Sequence, residues 1–316
     1  VFYDGTPPRE IYTRSRRAAL PISIRRPNAG TSTLVNRAVG TKLAIVSDKP
    51  QTTRNRILAV RNYSDDPAAQ VIFVDTPGIH RPLHRMNVRM VGMALESMGD
   101  VDVIGLVRDA TDSIGAGDRF VLRSLEAARA PVILVLNKID RIAKSRLLPL
   151  IDWYRRQREL AAVVPISALT GDGVEILERE LIQQLPEGEP LYPDDFLSDQ
   201  PERVLAAETV REKVLRHTHA ELPFTTAVVV DRFDDETEPG LLRLYCSILV
   251  ERSSQKPIVI GHGGALVRQI GTEARQDLER FFGTRVFLDL HVKVRPEWRE
   301  NDRILDQAGV APKTRW

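Results

Sequence analysis

Pro131-Val132-Ile133-Leu134-Val135-Leu136, followed by Asn137-Lys138-Ile139-Asp140, decides how this chain is read. The apolar run has the length and composition of a strand buried on both faces, and the polar tetrapeptide then stands in the loop at its carboxyl end. The residue types there carry a chemistry. A carboxylate such as that of Asp140 accepts two hydrogen bonds from the N1–H and exocyclic amine of guanine, whereas adenine presents an acceptor at one of those positions and would leave a buried charge unpaired. Lys138 is expected to pack its stem along the base, and Asn137 to tie neighbouring loops together. The same tetrapeptide is also an ordinary polar loop after a parallel strand, so its company decides.

Upstream, Val71-Ile72-Phe73-Val74 is a second buried-strand run and ends in Asp75-Thr76-Pro77-Gly78. Asp75 is suited to hold a Mg²⁺-bound water and the Gly78 amide to meet a terminal phosphate. Downstream, the strand-like residues 162–166 lead into Ser167-Ala168-Leu169-Thr170-Gly171, whose backbone can close over the edge of a base. Ahead of all three is Ser47-Asp48-Lys49-Pro50-Gln51-Thr52-Thr53-Arg54, a polar switch-like segment in which one Thr hydroxyl is suited to reach the metal. Thr53 is favoured, with Thr52 as the alternative. Pieces in this order, each tied to a strand end, follow the order of a phosphate-loop GTPase, with GTP or GDP and Mg²⁺ as ligands and Asp75, Gly78 and Thr53 nearest the chemistry.

A phosphate loop reads G-x-x-x-x-G-K-[ST], with glycines for close backbone approach, amides that cradle phosphate and a Lys on the β- and γ-oxygens. This chain has Arg25-Arg26-Pro27-Asn28-Ala29-Gly30-Thr31-Ser32. Gly30 and the metal-binding Ser32 are kept, whereas Arg25 stands for the first Gly and Thr31 for the Lys. A lost charge-assisted contact to phosphate is worth roughly 1.5 to 3 kcal/mol, or about ten- to a hundredfold in affinity. Arg25 lies at the wrong end of the loop to replace it, and its Cβ crowds a turn that glycine makes easily.

With 316 residues the chain can build two domains, each with its own core. A net charge of +2 advertises no nucleic-acid partner for the chain as a whole, so any basic footprint is local. The single cysteine, Cys246, excludes an intramolecular disulfide and a cysteine-built zinc site, and reads as a core thiol in a reducing compartment. No apolar run approaches the roughly 20 residues of a membrane-spanning helix. The first 26 residues carry six Arg against Asp4 and Glu10 and read as a solvated extension, with a basic nucleic-acid arm or the remnant of a targeting peptide as alternatives. A start at Val1 fits either processing or a truncated reading frame.

Buried-strand runs then alternate with amphipathic stretches such as residues 119–128, the mark of an α/β, doubly wound parallel sheet. Ligands belong at the carboxyl ends of its strands. The expected organisation is a basic extension over 1–21, a GTPase domain over 22–190, a Pro-rich acidic linker over 191–201 and a second domain over 202–316.

That second region has a different grammar. A helix over 202–220 precedes strands over 224–230 and 241–250, separated by an acidic turn. Gly261-His262-Gly263-Gly264 follows, with helical residues 265–270, a further helix over 272–282 and a strand over 286–294. The order α-β-β-α-α-β with a G-x-x-G loop is that of an α+β, type II KH domain. Small loop residues let the backbone press against a nucleic-acid sugar-phosphate backbone while bases splay into the neighbouring groove. Eight Lys/Arg stand against four Asp/Glu between Arg252 and Pro296, with Arg268, Arg275 and Lys293 as phosphate contacts. His262 is a loop residue that either touches RNA or is a solvent-exposed turn residue, and the six histidines lack the spacing of a metal site.

The segments P-Q-T-T-R, D-T-P-G, N-K-x-D and S-A, followed by Ser254-Gln255-Lys256-Pro257-Ile258-Val259-Ile260, the G-x-x-G-A loop and a terminal V-K-V-x-x-x-W that ends at Trp298, resemble the Era GTPase family over about residues 22–310. The resemblance implies a bacterial ribosome-assembly GTPase that binds the 3′ end of small-subunit (16S) ribosomal RNA through its KH domain and couples that binding to GTP. It also implies a monomeric cytoplasmic protein with a fraction loosely held at the inner face of the cell membrane. Ile79 stands where Ras-like enzymes place a water-orienting Gln, and the match at Asn28 implies a K⁺ ion that can substitute for an arginine finger. Two readings follow: a slow GTPase acting on ribosomal RNA, and a pseudo-GTPase in which Arg25 and Thr31 leave mainly RNA binding.

Overall fold

Aliphatic runs become inner strands, and the amphipathic stretches between them become covering helices. The computed structural model describes residues 16–22, 28–49, 51–64, 68–79, 83–99, 101–235 and 239–310. Its first part runs β1 (Arg16–Ile22), α1 (Thr31–Val39), β2 (Ile57–Tyr63), β3 (Ala69–Asp75), α2 (Arg85–Ser97), β4 (Ile104–Asp109), α3 (Ala116–Ser124), β5 (Val132–Asn137), α4 (Leu147–Gln157), β6 (Ala162–Pro165) and α5 (Val174–Gln184). The sheet order is β2-β3-β1-β4-β5-β6, parallel except for the antiparallel edge strand β2.

The apolar run that leads into Asn137 is β5, buried along its whole length. Ile133 and Val135 pack in one core with Leu34 of α1 and Leu177 of α5, while Leu134 and Leu136 pack in another with Val121 of α3 and Leu150 of α4. Alternating sides of one strand thus fill two layers of helix, as a doubly wound sheet requires. Because β1 lies between β3 and β4, successive connections leave it in opposite directions, and a crevice opens at its carboxyl end.

Of the extension expected over 1–21, residues 1–15 lie outside the described residues, and Arg16–Ile22 is instead β1 in the middle of the sheet. Its sequence is rich in Arg and Ala and holds Pro21, which cannot donate to a ladder. Strand propensity is weak there, and β1 meets β4 only at the pair Ile22–Gly105. The linker is also a correction. Residues 191–199 form a strap across β2 and β3, with Tyr192 and Phe196 stacked at 4.4 Å and packed on Leu58, Val60, Ile72 and Val74. The Leu197 carbonyl accepts from the Val60 amide at 2.9 Å, and Gln70 Oε1 accepts from the amides of Leu191 and Tyr192 at 2.8 and 3.0 Å.

The second part runs α6 (Glu202–His217), a single turn α7 (Leu222–Thr225), β7 (Ala227–Asp234), β8 (Leu241–Val250), α8 (Gln255–Ile260), α9 (Ala265–Phe282), β9 (Arg285–Val294) and α10 (Asp302–Gln307). Strand β8 pairs antiparallel with β7 and parallel with β9. Two expected boundaries move. The strand expected from residue 224 begins at Ala227, because Leu222-Pro223-Phe224-Thr225 coils first. The helices expected over 265–270 and 272–282 are one helix, α9, in which Gly271 lets β9 approach: a Cβ there would meet Leu290 Cδ1 at 3.4 Å.

Both parts form one body, and the contacts around α2 are among those that join them. Met86, Met90 and Met93 of α2 pack with Ala227, Val229, Leu249, Trp298 and Leu305. Beside them Arg89 bonds Asp302, Asp306 and the Val310 carbonyl at 2.5, 2.6 and 2.9 Å.

Candidate functional site

Gly78, Asn137, Lys138, Asp140 and Ala168, from the motifs that follow three strands, line one cleft of about 570 Å³ at the carboxyl edge of the large sheet. Asn137, at the end of β5, is its hub: Nδ2 donates to the Ala29 carbonyl at 2.8 Å, and Oδ1 accepts from the amides of Lys138 at 2.8 Å and Ala168 at 2.9 Å. One buried amide therefore holds together the loop before α1, the tetrapeptide loop and the Ser167-Ala168 loop. Lys138 is left-handed at φ +67° and bonds Asp109 Oδ2 at 2.6 Å. Burial alone would raise the Asp109 pKa; the bonds from Lys138 and Thr111 bring it below the ordinary carboxylate range. Ile139 donates its amide to the Ile166 carbonyl at 3.2 Å, and Asp140 stands exposed on the cleft wall. Ser167 and Ala168 are buried, with the Ala168 carbonyl accepting from Arg37 Nε of α1 at 2.7 Å.

Opposite the loops around Asn137 and Ser167, three oxygens meet. Ser32 Oγ, in the first turn of α1, donates to Asp75 Oδ2 at 2.8 Å and lies 2.9 Å from Thr53 Oγ1, which is 3.4 Å from the same carboxylate oxygen. Two hydroxyls and a carboxylate are the hard donor set that suits Mg²⁺, so the residues fit that ion. The structure separates the two threonines: Thr53 joins this corner, whereas Thr52 Oγ1 donates to the Lys49 carbonyl at 2.6 Å. Thr76, Pro77 and Ile79 are buried beside it, and Gly78 lines the cleft.

The start of α1 points into the cleft with no side-chain cap, which leaves its first amides for an anion. Thr31 Oγ1 is buried there and has no partner among the described residues, a donor that a phosphate oxygen would satisfy. Asn28, at φ +70°, donates Nδ2 to the Asp48 carbonyl at 2.7 Å. Arg25, Arg26 and Pro27 lie outside the described residues. Gly30 is required twice over: its φ is +85°, and a Cβ would stand 2.5 Å from Asn137 Nδ2. Gly30→Ala is expected to cost about 1 to 2 kcal/mol from the left-handed backbone alone, and more because the hub amide must move. A thermal melt beside a nucleotide titration checks this; an unchanged melting temperature would contradict it.

The second surface is the loop between α8 and α9. Gly261, at φ +74°, is a packing residue, since a Cβ would meet Leu266 Cβ at 2.6 Å. Gly263 and Gly264 have positive φ with nothing within 4 Å of where a Cβ would stand, so their backbone is open to an approaching strand. His262 is exposed beside them. Arg268 and Arg275 are exposed two turns apart on α9, the latter bonded to Glu279 at 3.0 Å. Lys293 does not join them: Val292 fills the helix-side core, so Lys293 faces the other side of the sheet and bonds Asp231 at 3.1 Å. Cys246 is fully buried, and burial pushes its thiol up to about 12.

Sequence reading missed Asp109, the partner of Lys138, although a carboxylate ending a buried strand was visible. It also missed Arg211 and Glu212, two buried charges of α6 with partners in the first domain, for which no local pattern exists.

The profile of a family described as 50S ribosome-binding GTPase matches residues 23–138, and a KH domain profile matches residues 227–299. The chain is 48% identical to GTPase Era of Syntrophus aciditrophicus over 286 residues, covering 90% of this chain and 92% of that protein. It is 46% identical to GTPase Era of Geobacter metallireducens, with 90% and 95% covered. Among solved structures, Aquifex aeolicus Era bound to GDP·AlF₄⁻ superposes with a TM-score of 0.89 at 40% identity, covering 94% of this chain and 100% of that one. Era in complex with MgGDPNP and nucleotides 1506–1542 of 16S ribosomal RNA gives a TM-score of 0.88 at 40% identity, covering 95% and 99%.

Proposed function

The chain belongs to the Era GTPase family, and on that premise we propose that it binds guanine nucleotide in the sheet cleft and the 3′ end of small-subunit ribosomal RNA at the G-x-x-G loop, as a ribosome-assembly factor. The observation that carries the nucleotide half is the Asn137 amide, which locks the phosphate, base and base-edge loops into one frame. Asp140 would pair with the guanine edge and the α1 amides with the phosphates. Ser32 and Thr53 would ligate Mg²⁺ directly and Asp75 through water, the ion supplying charge neutralisation between phosphate oxygens. A K⁺ ion beside Asn28 would be held by the side-chain oxygen, the atom with free lone pairs, while the amide nitrogen donates to the Asp48 carbonyl. Slow hydrolysis fits a chain in which apolar Ile79, buried beside the cleft, stands in place of a water-orienting Gln.

Relatives at this level of identity are GTPases by name, which gives the reading of an RNA-binding chain without turnover no support. Thr31 is nevertheless a real departure within the cleft. The RNA half rests on the open backbone at Gly263 and Gly264, with Arg268 and Arg275 offered to phosphates. No helix among the described residues is long and apolar enough to cross a membrane. A monomer in the cytoplasm with a loosely membrane-held fraction is part of the proposal and rests on the family resemblance.

The test is a titration with fluorescent GTP and GDP in Mg²⁺ and K⁺, beside a Thr31→Lys variant. The unmodified chain is expected to bind, and the variant about ten- to a hundredfold more tightly, with faster turnover, because a charge-assisted phosphate contact returns. Equal affinities would show that the missing Lys does not limit this site.

A further inference from the structure

Thr53, the hydroxyl in the metal corner, is bracketed by two residues whose partners lie in the RNA-binding domain. On one side the Thr52 carbonyl accepts from Arg211 Nη2 of α6, and the same guanidinium is held by both oxygens of Glu208 at 2.7 Å. On the other side Arg54 donates to the carbonyls of Thr226 at 2.8 Å and Pro223 at 3.1 Å and stacks 5.5 Å from the centre of the Trp298 ring. Earlier in the same segment, the Val46 amide donates to Glu212 Oε1 at 3.0 Å, and Lys42 bonds Glu212 Oε2 at 2.6 Å.

These contacts are costly to assemble. Arg211, Glu212 and Arg54 are 2%, 2% and 3% exposed, and a buried charge is tolerated only when bonded. Burial, and then the neighbouring Arg211, push the Arg54 pKa down. The second domain's own core is apolar and needs none of the three. What Arg211 and Glu212 reach instead is the backbone of residues 46 and 52, on a segment that in GTPases of this fold is ordered by Mg²⁺ and the γ-phosphate and released after hydrolysis.

We propose that Arg211 is a positioning residue of the nucleotide site: by fixing the Thr52 carbonyl it sets the Thr53 hydroxyl in the corner shared with Ser32 and Asp75. The inference rests on the reading of the cleft as a guanine-nucleotide site. The RNA-binding domain thus holds part of the triphosphate-binding conformation, and its grip favours the triphosphate over the diphosphate, whose binding does not need Thr53. By reciprocity, a triphosphate in the cleft tightens the contact between α6 and the segment.

The full-length protein, Arg211→Met, Arg211→Lys and Glu208→Gln are titrated with a fluorescent non-hydrolysable GTP analogue and with fluorescent GDP across a Mg²⁺ series, in the chain as it stands and in the Thr31→Lys background. Trypsin cleavage after Arg54 and Arg56 is followed in parallel. Arg211→Met is expected to raise the Mg²⁺ needed for half-maximal triphosphate binding by about tenfold, while GDP stays within about twofold. The Lys variant recovers part of the loss, Glu208→Gln shows a smaller shift in the same direction, and trypsin cuts the segment faster with triphosphate bound. An unchanged ratio of triphosphate to diphosphate affinity overturns the proposal. So do equal losses for both nucleotides with a lower melting temperature, which mark a structural role only. If Arg211→Met does not fold, Arg211→Lys and Glu208→Gln decide by the same ratio. Failure of both backgrounds to bind either nucleotide refutes the guanine-nucleotide reading itself, whereas binding with no effect of Arg211 refutes the positioning role alone.

Discussion

Replacing Gly263 and Gly264 together with Asp is expected to collapse RNA binding while leaving the fold intact. The reason is geometric and electrostatic. Neither position has a neighbour within 4 Å of where a Cβ would stand, so the new side chains enter solvent rather than the core. Asp also tolerates the left-handed backbone found there better than most residues, which limits the strain. What it brings is two carboxylates on the surface offered to phosphates. Two unit charges about 4 Å apart interact by roughly 4 kcal/mol in the partly shielded surroundings of a protein surface, so two such repulsions reduce affinity by about a hundredfold or more even after rearrangement. An anisotropy titration with a single strand from the 3′ end of small-subunit ribosomal RNA reads this directly, and the parent complex should weaken with salt on a slope reporting a few phosphate contacts. Parent-like binding by the double variant would remove the loop from the RNA surface.

Asp140→Asn is expected to change the base that the cleft accepts. The Asp140 carboxylate is exposed on the wall of the cleft, beyond the Asn137 hub that fixes the loop, so the exchange leaves the frame in place. With an amide, one of two hydrogen bonds to guanine becomes a meeting of donors. The loss of charge-assisted pairing weakens GTP by about a hundredfold. Xanthine presents an oxygen where guanine has its amine and therefore suits the amide. Competition of GTP, XTP and ATP against a fluorescent nucleotide measures the switch. Equal competition by ATP in the unmodified protein would remove guanine recognition altogether.

Much of the large domain was legible because its inner strands are buried on both faces. Such strands read as continuous apolar runs, and β3 and β5 announced both the sheet and the loops at their ends. Strand β1 was not legible for the opposite reason. Its pairing is imposed by the strands on either side, and Arg, Ala and Pro at those positions carry no signal of their own. Thr53 was favoured over Thr52, yet the two offer the same hydroxyl, and it is the path of the backbone that sends Thr53 to Asp75 and Thr52 to the Lys49 carbonyl. Lys293 misled because charge was counted along the sequence, whereas alternation along β9 puts that side chain on the far side of the sheet. Arg211 and Glu212 lie in the middle of a helix whose buried positions run almost all the way round. A pattern rule expects a single apolar stripe there, and a helix wedged between two domains has none.

The strap over residues 191–199 bears on how the chain avoids itself. Strand β2 is the outer strand of the large sheet, and an outer strand carries a row of unused backbone donors and acceptors that invites another chain. Here the Leu197 carbonyl takes the Val60 amide and Ser198 bridges Ala59, while Tyr192 and Phe196 roof the aliphatic side chains beneath. A polypeptide still emerging from synthesis has made β2 long before these residues exist. Until they arrive its margin is bare, and a product cut short near residue 190 keeps it bare permanently. Such a fragment would retain nearly the whole nucleotide cleft and yet carry an adhesive flank, prone to pair with its own kind.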